Sequence, residues 1–319
     1  MADTFHESVL RNAASMAVAA ALPDVPAERV YVRLTADRAK VTFPCVILSV
    51  DGATENDGED DLNTADEVGY PVRDGFNDRK GLPLISCLHN FHFFEDRGVR
   101  PDFYVSLDAG EVVLEEISEG GALTPDEYWE RTREHTLVAY VGSNPKLAEK
   151  WKGKIYWFNA GLPHGPVKDE ADAAAGFYTM LGSGGNVLGA CLYLAKGILG
   201  SPMVGFVGAD FSFGYDNKFH GWDSKYDGKL GDCMRVTDIY GVKRNTWRSY
   251  HNFKCWFEYI ATTVPGFYVN CTEGGILGAY DPGNISQFKY MDLKQFLDMV
   301  AMNEHVRSQC EKPHEPHKI

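Results

Sequence analysis

The sequence predicts an α/β protein built on a parallel sheet. From Gly81 onward, short apolar segments alternate with segments of helical periodicity, a pattern typical of parallel strands joined by crossover helices. Two helix start signals support this prediction: Thr124-Pro125-Asp126-Glu127 combines an N-cap, a first-turn proline and an acid, and Asn144-Pro145 opens another helix. The predicted strands cover residues 82–88, 103–107, 137–141, 154–158, 203–208 and 266–269.

Composition narrows the class of protein. The chain has 319 residues, of which 44% are hydrophobic and 13% aromatic, a balance that supports a packed core. No segment reaches the roughly 18 uninterrupted apolar residues that a membrane helix needs, and the formal net charge of -14 argues against duplex nucleic acid as a partner. The seven cysteines are scattered without a CxxC pair, which fits a reducing compartment. We therefore expect a cytoplasmic protein that binds neither membranes nor duplex nucleic acid.

Three units are predicted along the chain. Residues 1–75 form a small α+β unit, with a helix over 5–22 and strands over 29–34 and 43–50. It ends in an acidic stretch from 51 to 69 that lacks Lys and Arg, which predicts an exposed flexible loop. The parallel α/β domain covers residues 76–303, and residues 304–319 form a flexible tail.

Three acidic residues directly follow predicted strands. Asp108, Asp210 and Glu273 stand at these positions, and open parallel sheets bind ligands beyond the carboxyl ends of their strands. One such acid alone is more often a helix cap or a turn residue, but three at one edge favour a site. Exposed carboxylates there could hold Mg²⁺, with Asp108 and Asp210 as its ligands, or could bind ribose or substrate hydroxyls.

A glycine-rich turn precedes a helix of apolar periodicity over residues 187–195. Ser183, Gly184, Gly185 and Asn186 form this turn, which suits an anion because glycines allow close backbone approach and the helix start attracts negative charge. A tight turn packed on the sheet explains the same pattern equally well.

Histidines supply the candidates for proton transfer. His220 lies in a long polar and aromatic segment after Asp210, where an active-site loop is expected, and could act as a general base. His89 and His92 are spaced as on one helix face, and with no third ligand in view capping and packing roles are preferred over a metal site.

Three ordered motifs, in residues 85–110, 182–213 and 270–280, together resemble the MptE-like family. The resemblance implies a Rossmann-like fold with helices on both faces of the sheet. The family includes archaeal 6-hydroxymethyl-7,8-dihydropterin diphosphokinases, which use ATP and Mg²⁺ and release AMP. Related domains in bacterial motility accessory factors look like nucleotide-sugar glycosyltransferases.

The resemblance also implies a set of site residues. It gives catalytic roles to Asp108, Asp210 and His220 within a site that includes the motif from 102 to 108. It gives nucleotide or cofactor binding to two groups of residues, the turn Ser183, Gly184, Gly185 and Asn186, and the loop Glu273, Gly274 and Gly275.

One departure from the family affects the functional prediction. Family members normally open with a strand and a Gly-Pro-Ser turn, and residues 69–81 contain no such turn. Residues 1–75 instead resemble a small phage tail-completion protein, notably at 43–52 and 60–72. The chain could therefore be a phage-encoded fusion in the host cytoplasm, with virion subunits as partners of residues 1–75.

The leading functional hypothesis is diphosphate transfer from ATP to a small hydroxyl-bearing acceptor, with Mg²⁺ as cofactor. A motility accessory factor type of transferase that uses a nucleotide-sugar is the first alternative, and a non-catalytic phage assembly module is the second. The sequence leaves open which nucleotide and acceptor are bound and whether the chain forms a homo-oligomer.

Overall fold

The computed structural model describes residues 30–31, 45–51, 79, 82–160, 180–214, 217, 228, 230–279 and 286–310. Within these residues, ten strands form one sheet whose pairs are all parallel. They are β1 (Val30–Tyr31), β2 (Cys45–Asp51), β3 (Leu84–Cys87), β4 (Phe103–Ser106), β5 (Thr136–Tyr140), β6 (Lys154–Ala160), β7 (Met180–Leu181), β8 (Met203–Ala209), β11 (Phe267–Asn270) and β12 (Lys289–Tyr290). The predicted parallel sheet is confirmed.

The order of the strands reverses once across the sheet. From β2 the chain adds β3, β4, β5 and β6 on one side, then returns to place β8, β11 and β12 on the other side of β2. β1 pairs with the far side of β6, and β7 also pairs with β6. The reversal between β2 and β8 is the topological switch point, where this type of sheet opens a crevice for ligands.

β2 corrects the predicted boundary near residue 75. Its backbone pairs with β3 through Val46, Ile47 and Leu48, and with β8 along Cys45–Asp51. A strand hydrogen-bonded on both sides belongs to the main sheet, and β1 is also paired within it. β1 and β2 are therefore part of the main sheet and not of a separate α+β unit over residues 1–75. The predicted helix over 5–22 and the acidic stretch after Asp51 lie outside the described residues.

Helices cover both faces of the sheet, as predicted. Alternate residues of one strand face opposite ways, so Leu84 joins one apolar core and Ile85 joins the other. The first core packs against α1 (Phe91–Arg97), α2 (Val112–Glu116), α3 (Pro125–Arg131), α4 (Pro145–Lys150) and α7 (Leu293–Cys310), and the second against α5 (Val187–Tyr193) and α6 (Arg248–Thr263). No helix in the described part of the chain is both long and apolar enough to span a bilayer.

Both predicted helix starts are present. Thr124 and Glu127 form a reciprocal capping box at α3, in which the Glu127 carboxylate accepts the Thr124 backbone N–H at 2.8 Å. Asn144 Oδ1 accepts the Lys146 N–H at 3.0 Å and caps α4. At the other end of the chain, α7 continues to Cys310, so residues 304–310 are helical where a flexible tail was predicted.

An antiparallel hairpin, absent from the prediction, follows the β8 loop. Its strands are β9 (Cys233–Thr237) and β10 (Lys243–Trp247). The connecting turn is organised by Asp238, whose Oδ1 accepts the N–H groups of Tyr240 and Val242 and whose Oδ2 accepts Arg244 Nε at 2.8 Å. Because both side chains of the Asp238–Arg244 pair are almost completely buried, loss of either partner leaves an uncompensated charge.

We expect a variant that lacks residues 1–75 to lose cooperative thermal unfolding, because removal of β2 exposes the facing edges of β3 and β8. The measurement is a calorimetric or circular dichroism melt. A matched truncation of residues 311–319 should melt like the full chain. A sharp, unchanged transition without residues 1–75 would instead show that residues 76–319 fold alone.

We expect Arg244→Met to lower the free energy of unfolding by about 3 kcal/mol, because it leaves the buried Asp238 carboxylate without its charged partner. Urea denaturation measures this quantity. Lys294→Met is the control, since the Lys294–Asp298 pair at 2.7 Å is exposed to solvent that screens it, and its loss should leave the free energy of unfolding nearly unchanged. Equal effects of the two substitutions would mean that the hairpin does not depend on this ion pair.

Candidate functional site

A cavity of about 120 Å³ lies at the carboxyl ends of the central strands. Three polar residues line it: His89 after β3, Asn186 before α5, and Asp210 after β8. Aromatic side chains from Phe211, Tyr250 and Phe253 form much of the remaining wall, together with Cys87, Val187, Leu188, Gly208 and Ala209. The cavity therefore occupies the place that the strand order predicts for a ligand.

Asp210 lies directly after β8 and is completely buried, whereas an exposed carboxylate was expected from its position in the sequence. It is covered because the chain after β11 folds back over it: Ile276 N donates to Asp210 O at 2.7 Å. The next residue, Phe211, has a φ of 52°. A bulky residue in the left-handed region carries strain that surrounding structure must hold in place, and such residues concentrate at functional sites.

The glycine turn at 183–186 is held by its own hydrogen bonds. Gly185 N donates to Ser183 Oγ at 3.2 Å, and Asn186 Oδ1 accepts the Gly189 N–H at 2.8 Å as the cap of α5. Gly184 has a φ of 57°, and a Cβ there would lie 2.3 Å from the Trp256 ring. The turn thus packs tightly, and Asn186 is its one member in the cavity wall.

One polar atom of the Asn186 side chain takes no part in capping α5. Its Nδ2 is buried and, among the residues that the structure describes, has no hydrogen-bond partner. A buried amide N–H without a partner costs stability, so this atom is a donor that a bound ligand could satisfy.

The loop Glu273, Gly274 and Gly275 packs behind Asp210 and does not line the cavity. A Cβ on Gly275, whose φ is 74°, would lie 2.4 Å from Asp210 Cα, so only glycine allows this approach. Glu273 is exposed and has a φ of 60°. Partial burial of its carboxyl group, together with the negative charge of Asp292, raises the pKa of Glu273.

The structure does not bring Asp108 to the cavity. It is exposed and follows β4, and its carbonyl oxygen accepts the Asn144 N–H at 3.1 Å. β4 is three strand intervals from β8, about 14 Å at the usual spacing. Asp102, at the start of the same motif, precedes β4 and accepts the Leu84 N–H at 2.8 Å, which places it at the amino edge of the sheet.

Two further predictions concern metal and proton transfer. In the described residues, no group of three or more His, Cys, Asp and Glu side chains is arranged to hold a metal ion. The separation of Asp108 from Asp210 does not fit one Mg²⁺ ion bound by both carboxylates, so a Mg²⁺ site stays a prediction for Asp210 alone. His220 lies outside the described residues.

His89 is a cavity residue that the sequence analysis assigned to packing. The packing role holds for His92, which is buried and has its ring centroid 6.4 Å from that of Tyr128. Burial lowers the pKa of His92 to about 4. The sequence position of His89 could have identified it as a site residue, because it stands two residues after the carboxyl end of β3. The rule that identified Asp210 applies equally to that position.

The comparisons with known proteins agree with this architecture. Residues 77–216 match the family model described as 6-hydroxymethylpterin diphosphokinase MptE-like. The chain is similar to the solved structure of the MAf glycosyltransferase from Magnetospirillum magneticum AMB-1, with a TM-score of 0.58 and 13% identity over 94% of this chain and 42% of that chain. No curated protein matches.

These findings differ in what they show. At 13% identity the likeness to the glycosyltransferase shows the fold alone, and this chain spans less than half the length of that protein. The family model covers the segment that supplies Cys87, His89, Asn186 and Asp210 to the cavity. The predicted resemblance to the MptE-like family is thereby confirmed over residues 77–216.

Proposed function

We propose that the protein is a nucleotide-dependent transferase whose substrates meet at the cavity beyond the carboxyl ends of β3 and β8. The observation that carries the proposal is the buried Asp210 in a cavity at the switch point of a parallel sheet. The matched family is described by a diphosphokinase and the similar structure is a glycosyltransferase. Both names describe transfer to an acceptor, and hydroxyl acceptors suit a carboxylate that can receive a hydrogen bond.

The proposed reaction is diphosphate transfer from ATP to a hydroxymethyl acceptor. The acceptor oxygen attacks the β-phosphorus, the bond from that phosphorus to the oxygen bridging to the α-phosphate breaks, and AMP leaves. The proton of the acceptor hydroxyl passes to a base, for which Asp210, His89 and His220 are the candidates. Mg²⁺ would neutralise the diphosphate charge, and Asp210 is the proposed carboxylate for it, since Asp108 lies three strand intervals away.

Glycosyl transfer is the second candidate, because the similar solved structure is a glycosyltransferase. In that reaction the acceptor oxygen attacks the anomeric carbon of a nucleotide-sugar, and the bond from this carbon to the phosphate oxygen breaks. The nucleotide leaves, and the acceptor proton passes to the same base. The two reactions release different products, so product analysis separates them.

We expect the full chain to be stabilised by a nucleotide or a nucleotide-sugar in a thermal shift panel measured with and without Mg²⁺. Phosphorus NMR of the same mixtures then identifies the reaction, since AMP from ATP supports diphosphate transfer and a nucleotide freed from its sugar supports glycosyl transfer.

Asp210→Asn should slow turnover by about 100-fold, because a group at the reacting centre is lost. Asp126→Asn, on the exposed start of α3, is the control. Binding without turnover of any donor would favour the non-catalytic assembly module.

Glu273→Gln tests the loop behind the cavity through its pH dependence. Because the folded pKa of Glu273 is raised above the unfolded value, its ionised form weakens the fold, and that penalty grows as pH rises through the folded pKa. The substitution should therefore raise the melting temperature at pH 8, and the gain should shrink to nothing below about pH 4, where the carboxyl is protonated in both states. A gain that is equal at both pH values would show that charge is not the cause.

A further inference from the structure

The loop after β11 holds the main chain on both sides of the Asp210 Cα atom. In this β11 loop, residues 271–278, Thr272 Oγ1 accepts the Ala209 N–H at 3.0 Å, and the Ile276 N–H donates to the carbonyl oxygen of Asp210 at 2.7 Å. The first hydrogen bond lies before the Asp210 Cα atom in the chain, and the second lies after it. The β11 loop therefore limits how far Asp210 can move.

The Thr272 hydroxyl takes the place of a strand carbonyl. β8 and β11 pair in parallel register up to Phe206 and Asn270, so Ala209 lies three residues beyond the last pair. Ala209 is buried, and a buried backbone N–H needs an acceptor. The side chain of Thr272 reaches back from the β11 loop and supplies this acceptor.

The β11 loop is itself fixed at both ends. At its start, the buried Asn270 accepts the Thr272 N–H through Oδ1 at 2.8 Å and donates through Nδ2 to the Leu277 carbonyl at 3.0 Å. At its end, Gly278 N donates to Glu258 Oε1 at 2.9 Å. Glu258 belongs to α6, which also supplies two aromatic residues of the cavity wall. The loop thus holds the end of β8 in a fixed position relative to β11 and α6.

We propose that Thr272 is a positioning residue for the transferase site, because its bond to the Ala209 N–H fixes the main chain from which Asp210 contributes to the cavity wall. This inference rests on the proposed function, which places Asp210 at the reacting centre. Thr272 is not one of the described residues that line the cavity, so it acts through the main chain and not on a substrate. This supporting role differs from the nucleotide binding that the family resemblance implies for residues 273–275.

Thr272→Val tests this role, because valine has nearly the shape of threonine and lacks the acceptor. The buried Ala209 N–H then loses its partner, so the chain before Asp210 shifts towards another acceptor or towards water. For the donor that the wild-type protein turns over in the nucleotide and nucleotide-sugar panel, we expect kcat to fall by about tenfold and KM to change by less than about twofold. Thr272→Ser keeps the hydroxyl and should restore kcat.

Amide hydrogen exchange of the unliganded full chain is a second readout that needs no substrate. Thr272→Val should speed exchange several-fold in the peptide that covers residues 206–213, while β4 and β5 and the melting temperature stay nearly unchanged. Thr262→Val is the matched control, because the exposed Thr262 hydroxyl donates to the Tyr259 carbonyl at 2.7 Å within α6. It should alter neither kcat nor exchange at 206–213.

Two results would overturn the inference alone. One is an unchanged kcat of Thr272→Val beside a wild-type protein that turns over a donor. The other is faster exchange across the whole sheet with a lowered melting temperature, which indicates a general structural role. Absence of turnover by the wild-type protein would count against the proposed function and overturn this inference with it, so the wild-type assay distinguishes the two failures. Thr272→Ala removes the same acceptor and carries the test if Thr272→Val does not fold.

Discussion

The pairing of β2 with both β3 and β8 is the constraint on which the rest of the molecule depends. It joins the strands added in one direction to those added in the other, so the switch point exists only because β2 lies there. The register places Asp51 opposite Ala209, which puts the carboxyl end of β2 beside Asp210. A strand from the first 51 residues thus lies between β3 and β8, the two strands whose carboxyl ends lead into the cavity.

Around this point, the structure supports strained and buried groups by tying separate loops together. The hairpin of β9 and β10 binds the loop after β8 through Phe213 N to Asn245 O at 2.9 Å, and the loop after β11 through Ile239 N to Gly275 O at 3.1 Å. Thr246 Oγ1 also donates to the carbonyl of Phe211, the residue with positive φ. The hairpin therefore connects the loops after β8 and β11, and the buried Asp238–Arg244 ion pair stabilises the turn of the hairpin.

The sequence was sufficient where local pattern determines structure. The buried strands were predictable because their apolar segments are short and bounded, and the α3 capping box because its residues stand at fixed spacing. The place of β2 was not predictable, since its pairing partners lie far away in sequence and no local signal records them. Asp108 shows the same limit for the site: position after a strand gives the correct edge of the sheet, but the strand order decides which residues on that edge meet.

The most direct test of this account is amide hydrogen exchange of the full chain, resolved for residues 45–51 and for β8. Strands that pair on both sides open only when the sheet opens, so their exchange reports the global stability. We predict that the β2 amides are protected to the same degree as those of β8. Rapid exchange of residues 45–51 beside a protected β8 would contradict the account, because β2 would then not join the two halves of the sheet.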